Sequence, residues 1–208
     1  MATNPLLTDL PKHIDYRVHK TSITVLLAAA VCLVLSFILP DSYGNKNAPP
    51  EFAQLGLLIL CSIYAFTANN NRRLFIFAGF VIIFLSLREI NYGRTLWFFA
   101  DENNPAKFPK WKDIPYGWLA HVLVGVYLVI LAAVFIVKKL WRDIRDILRS
   151  TRLPIWEIAL ATILAAAAHT VEEVTHNSLL EECLELGFYI CLTTLFWRYT
   201  RNKCQSAE

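Results

Sequence analysis

The chemically densest stretch of the chain is His169-Thr-Val-Glu172-Glu173-Val-Thr-His176. Its imidazoles and carboxylates can hold a metal ion, relay protons or anchor a cation. The polar side chains recur at i, i+3, i+4 and i+7, which at about 100° per residue places them on one narrow helical face. The same face continues through Ala166, Ala165 and Thr162, small residues that let a neighbouring helix approach closely. The stripe is therefore expected to point into a bundle. A few residues on, Ser178-Leu-Leu-Glu181 has the capping-box spacing that starts a helix, with Ser178 as the cap. The first turns of that helix carry Glu181, Glu182 and Glu185 on one face, with Tyr189 a turn deeper. Two further segments are expected at the same level: Arg88-Glu89-Ile-Asn91-Tyr92-Gly-Arg94, and His121 near the start of another helix.

Three chemistries suit this set. In the first, a divalent metal (Fe, Zn or Mn) is held by Glu89, His121, His169, Glu173, His176 and Glu185. Glu173-x-x-His176 has the spacing of carboxylate-bridged dinuclear centres, and His169-x-x-Glu172 mirrors it. Glu172 or Glu182 would then act as general base, while Arg88, Arg94 and Tyr92 would bind an anionic head group. In the second, neighbouring carboxylates share protons or bind cations. In the third, the arginines neutralise part of the cluster and the remaining glutamates face water at helix ends. The dinuclear pattern of soluble bundles needs two ExxH helices, and only one segment here has that order.

The elements that must position these residues are membrane helices. Hydrophobic residues make up 56% of the 208 and charged residues only 18%, which excludes an ordinary hydrophilic enzyme. Apolar stretches of nearly membrane-spanning length recur at Thr21–Leu39, Phe52–Ala68, Leu74–Tyr92, Trp118–Val137, Ile155–His176 and Leu179–Trp197. The expected fold is an all-α bundle of six transmembrane helices over 21–198, with an N-terminal tail over 1–20 and a C-terminal tail over 199–208. The first run follows Lys12, Arg17 and Lys20 but is too long for a signal-peptide core and has no small-x-small cleavage site, so it reads as an uncleaved span.

Arginine and lysine fix the expected sidedness. Three lie in the N-tail, two in the turn at 72–73, six over 138–152 and three after Trp197, against one between spans one and two and four between spans three and four. The richer side should be cytoplasmic, with both termini there, in a bacterial inner membrane. The segment 138–153 reads either as a basic amphipathic helix on the inner leaflet or as a solvated extension of span four. The loop 93–117, rich in Trp, Phe and Pro, reads as an interfacial belt or a lid.

Five single cysteines stand at 32, 61, 183, 191 and 204, the first four in apolar runs and the last in the charged tail, and indicate buried thiols and not a disulfide frame or CxxC metal site. His13 and His19 are expected to be solvated, and Glu157, just after Pro154, to be a helix-dipole acid. The basic residues are absorbed by topology, which removes nucleic acid from the partners. No GxSxG, phosphate-loop or Rossmann fingerprint occurs, and no paired histidines suit a di-haem bundle. Three functions remain open: a metal-dependent enzyme acting on a lipid or other hydrophobic substrate, a proton- or cation-coupled carrier or channel, and a sensor or assembly subunit that docks a protein partner or forms homo-oligomers. The carrier reading is weakened by the inner half of the last span, where only Thr193 and Thr194 could line a path.

Overall fold

A computed structural model describes residues 14–44, 48–93, 109–150, 152–174 and 177–201. Among these residues the chain forms seven α-helices: α1 (Lys20–Ile38), α2 (Pro49–Phe66), α3 (Arg72–Glu89), α4 (Trp118–Val137), α5 (Leu140–Ser150), α6 (Ile155–Val174) and α7 (Ser178–Arg201). The short turn between α2 and α3 sets that pair antiparallel. Pro49 and Pro50 stand in the first turn of α2, where their missing N–H groups cost nothing. Asn71, at φ 46, makes the left-handed turn between α2 and α3 that asparagine tolerates better than most residues.

Three segments are long and apolar enough to cross a bilayer: Lys20–Ile38, Ser42–Phe66 and Trp118–Val137. The apolar run Ile155–Val171 is shorter. α3 and α7 fall outside this group because they carry charge near their ends, at Arg72, Arg73, Arg88 and Glu89 in α3 and at Glu181, Glu182, Glu185, Arg198 and Arg201 in α7. The exposed surfaces also suit hydrocarbon. α4 buries none of its residues, and α1 presents Leu26, Leu27, Val31, Val34, Phe37 and Ile38 outward. Such bare apolar faces would drive association in water, whereas lipid covers them without penalty.

α7 is the centre of the bundle, packed against α1, α2 and α6, while α3 packs on α2. Its contacts form three apolar clusters. Val25 and Ala29 of α1 meet Ala161, Leu164 and Ala168 of α6 and Leu184 and Cys191 of α7. Leu58, Cys61 and Ala65 of α2 meet Ile82 of α3 and Tyr189 of α7. Cys32 of α1 meets Leu179 and Cys183 of α7. Cys32, Cys61, Cys183 and Cys191 are buried free thiols, as their apolar surroundings lead one to expect.

α4 and α5 pack only lightly against the rest. The hydroxyl of Tyr127 in α4 donates to the Phe80 carbonyl of α3 at 2.9 Å. We call the end bearing the N-termini of α2 and α7 the upper end. The lower end contains a feature absent from the sequence reading: β1 (Ile14–Asp15) pairs in parallel with β2 (Leu153–Pro154), tying the N-terminal segment to the start of α6.

Candidate functional site

The site is built on the first turns of α7. Asn177, not Ser178, caps the helix: its Oδ1 accepts the Leu180 amide at 3.0 Å and its carbonyl accepts the Glu181 amide at 3.1 Å. This cap lies one residue earlier than the capping-box spacing suggests. It leaves Glu182, Glu185 and Tyr189 to follow at helical intervals.

Glu182 is buried. It meets Gln54 of α2, which is fully buried and whose Nε2 donates to the Glu182 carboxylate at 2.8 Å and to the Glu182 carbonyl at 2.9 Å. The Oε1 of Gln54 has no hydrogen-bond partner among the described residues. One turn earlier on α2, Glu51 is also buried. One turn deeper in the bundle, the Tyr189 hydroxyl donates to Glu89 of α3 at 2.7 Å, a distance typical of a strong bond to a carboxylate. Glu185, also on α7, is within electrostatic reach of Glu89, Glu182, Glu181 and Arg88. Among the described residues the bundle thus gathers carboxylates from α3 and α7 with the Arg88 guanidinium as the opposing charge. Such an excess must be relieved by protons, cations or water.

The chain leaving α3 is strained beside this cluster. Asn91 and Tyr92 both have positive φ, 48° and 56°, and the Tyr92 ring turns back onto Phe84 with centroids 6.2 Å apart. Consecutive left-handed residues other than glycine are uncommon, and they turn the chain just after Glu89, the last residue of α3.

The expected constellation is divided. Glu89, Glu182 and Glu185 come together with Arg88 nearby. His169 and Glu173 do not face inward: they share the exposed face of α6 with Thr162, Ala165 and Ala166. The reason is that α6 spends its opposite face, Glu157, Ala161, Leu164 and Ala168, on α1 and α7. His121 is exposed on α4, edge-on to Trp111 at 6.2 Å. His176 and Arg94 lie outside the described residues, as does most of the aromatic loop, and the Glu172 side chain is likewise not described. Among the described residues no three His, Cys, Asp or Glu side chains converge to hold a metal.

A second polar network lies at the lower end. Glu157 stands in the first turn of α6 as the dipole reading expects, but it is also 2% exposed and accepts hydrogen bonds from Thr21 at 3.0 Å, Ser22 at 2.9 Å and Arg198 at 3.2 Å. His19 is not free in solvent but bonds Asp15 at 2.7 Å, and Asp15 also pairs with Arg198 at 3.3 Å. Burial pushes the Asp15 carboxyl upward. The hydrogen bonds from His19 and the Arg17 amide, together with the charges of His19 and Arg198, outweigh it and hold the group below the usual aspartate value. The Trp156 indole donates to the Tyr16 carbonyl at 3.0 Å and pins the same segment.

Sequence reasoning missed Gln54, Glu51 and the Glu157–Arg198 pair. Glu51 and Gln54 stand one helical turn apart at the start of a long apolar run, which is the signal that could have revealed them. Between the two networks, Tyr64, Thr193, Thr194 and Trp197 line an open cleft of about 240 Å³ on α2 and α7. No protein family, curated protein or solved structure matches the chain.

Proposed function

We propose that the chain is a proton- or cation-coupled membrane carrier whose loading site is the carboxylate cluster between α2, α3 and α7. The observation that carries this reading is that Glu185 sits among Glu89, Glu181 and Glu182 with Arg88 as the opposing charge, while Gln54 and Tyr189 supply neutral donors to Glu182 and Glu89. Carboxylates within electrostatic reach of one another share protons or attract small cations, because each added positive charge relieves repulsion. The hydroxyls of Tyr189 and Thr193 and the cleft at Tyr64 supply polar groups along α7 below the cluster.

In this reading the chain crosses a bacterial inner membrane six times, with the lower end and both termini cytoplasmic, as the skew of arginine and lysine toward that end supports. Proteoliposomes test it directly. An imposed pH, sodium or potassium gradient should collapse faster than in empty vesicles, and Glu185→Gln should abolish the difference. Flux no greater than that of empty vesicles for all three ions would overturn the proposal.

A second reading, a metal-dependent enzyme acting on a lipid, is favoured by one observation: Glu89 and Glu185, two members of its expected ligand set, are within electrostatic reach of each other. Elemental analysis of unchelated protein decides it, since near-stoichiometric Fe, Zn or Mn lost on joint replacement of His169 and His176 by alanine is its necessary signature.

A further inference from the structure

We infer that α5 is a docking surface for anionic phospholipid head groups in the leaflet at the lower end of the bundle. The proposal rests on the chain being embedded in a membrane and is independent of what the upper cluster does.

The first observation is a break. α4 ends at Val137, and Lys139 adopts a left-handed conformation at φ 52, so α5 turns away from α4 and is not its straight extension. Leu140, 1% exposed, anchors the turn, and the Trp141 ring packs on Phe135 of α4 with centroids 6.2 Å apart. An 11-residue helix, about 16 Å long, is thereby held at the point where the most apolar helix of the chain leaves hydrocarbon.

The second observation is how α5 divides its surface. At about 100° per residue, Leu140, Trp141, Ile144, Ile147 and Leu148 form one face. Trp141, Ile144 and Leu148 remain exposed on it. Arg142, Arg145 and Arg149 form a separate stripe along the Trp141 edge of that face, and Asp143 and Asp146 lie beyond them. All three arginines are exposed, and among the described residues none pairs with a carboxylate. Lys138 and Lys139 add charge at the helix start.

A soluble protein partner would have to match both an apolar strip and a parallel row of guanidiniums. A leaflet boundary matches both at once, because acyl chains cover Trp141, Ile144 and Leu148 while phosphate oxygens lie at the height of the arginines. The phosphate diester suits a guanidinium because two N–H groups can meet two oxygens. The edge bearing Asp143 and Asp146 should repel the same head groups, so the site collects anionic lipid along one side.

The test uses the full chain in phosphatidylcholine vesicles with trace spin-labelled phosphatidylglycerol or phosphatidylcholine, read by the fraction of label immobilised at the protein. Phosphatidylglycerol should be enriched over phosphatidylcholine by roughly three- to tenfold at low salt, as a few surface arginines allow. The preference should fall toward parity in R142Q/R145Q/R149Q and in about 0.5 M salt. D143N/D146N should raise it, and that variant stands in if the triple variant fails to assemble. Parity in the wild type, retention of the preference in the triple variant, or no rise in D143N/D146N would each overturn the assignment, the first pointing to an acidic protein partner and the second to another basic surface of the chain.

Discussion

Replacing Arg198 by methionine isolates the lower polar network. The guanidinium spans Glu157 at 3.2 Å and Asp15 at 3.3 Å, so its loss strips the cation from a carboxylate that is only 2% exposed. Removing one partner of a buried ion pair typically costs about 3–5 kcal/mol. Two features lower that here. Thr21 and Ser22 still donate to Glu157, and the side chain of Arg198 is 16% exposed, so water can partly replace it. The pair distances also exceed the roughly 2.7–2.9 Å of the strongest charge-assisted bonds. A loss of about 2–3 kcal/mol follows. The damage should be repairable by neutralising the orphaned acid: E157Q added to R198M should recover about 1 kcal/mol, although E157Q alone destabilises. Unfolding of purified protein in mixed micelles, followed by tryptophan fluorescence at neutral pH across the four-member cycle, measures both quantities. A loss below about 0.5 kcal/mol for R198M, or a coupling energy within about 0.5 kcal/mol of zero, would refute the reasoning.

The remaining predictions concern the upper cluster, a helix contact and acid stability. Tyr189→Phe deletes the donor held 2.7 Å from Glu89 and should cost about 1–3 kcal/mol in the same unfolding assay, with ion flux in proteoliposomes slowed; unchanged values for both would remove Tyr189 from the site. A methyl group at Gly44 would meet the Leu179 backbone at 2.5 Å, whereas one at Gly187 meets only a Leu164 methyl at 3.3 Å. Gly44→Ala should therefore lower the melting temperature well beyond Gly187→Ala, and the reverse order would contradict the packing of the Asp41–Gly44 turn on α7. Asp15 is held below its ordinary value, so its contribution to stability is complete above the unfolded aspartate range near pH 4 and is lost as pH falls through the lower folded value. Melting temperature should accordingly drop on acidification below about pH 4, and Asp15→Asn should flatten that limb. Equal slopes in the two proteins would exclude the Asp15 network as a source of acid sensitivity.

The helices were legible because hydrophobic runs and charged turns mark them plainly: Trp118–Val137 coincides end to end with α4, and the other five runs agree to within a few residues. What the sequence could not supply was rotation. The stripe His169–Glu173 has an unambiguous periodicity, yet period alone does not say whether a face looks inward. α6 had two candidate faces, one small and polar and the other built from Ala161, Leu164 and Ala168, and the structure packs the second. Long-range partners were hidden for a related reason. Gln54 and Glu182 are 128 residues apart, and Glu157 and Arg198 are 41 apart, so no local pattern links them. Within the candidate site, the acidic first turns of α7 and Glu89 were readable from composition. The α2 contribution was not, because an amide in an apolar run carries no charge to attract notice.

The distribution of charge follows from which helix is covered. A charged side chain in a bilayer must be shielded by protein, water or the interface. α7 is surrounded by α1, α2 and α6, and it carries Glu181, Glu182 and Glu185 at one end and Arg198 and Arg201 at the other. α4, which is left uncovered, has no Asp, Glu, Lys or Arg from Trp118 to Val137. α1 obeys the same rule, with Ser22 turned toward Glu157 and its outward residues large and apolar. Among the described residues the buried polar groups Glu51, Gln54 and Ser62 of α2 and Glu182 and Thr193 of α7 thus lie on two helices that pack against each other. Chemistry at the upper end should therefore respond to changes at Gln54, Glu89, Glu182, Glu185 and Tyr189 before it responds to changes at His121 or on the outer face of α6.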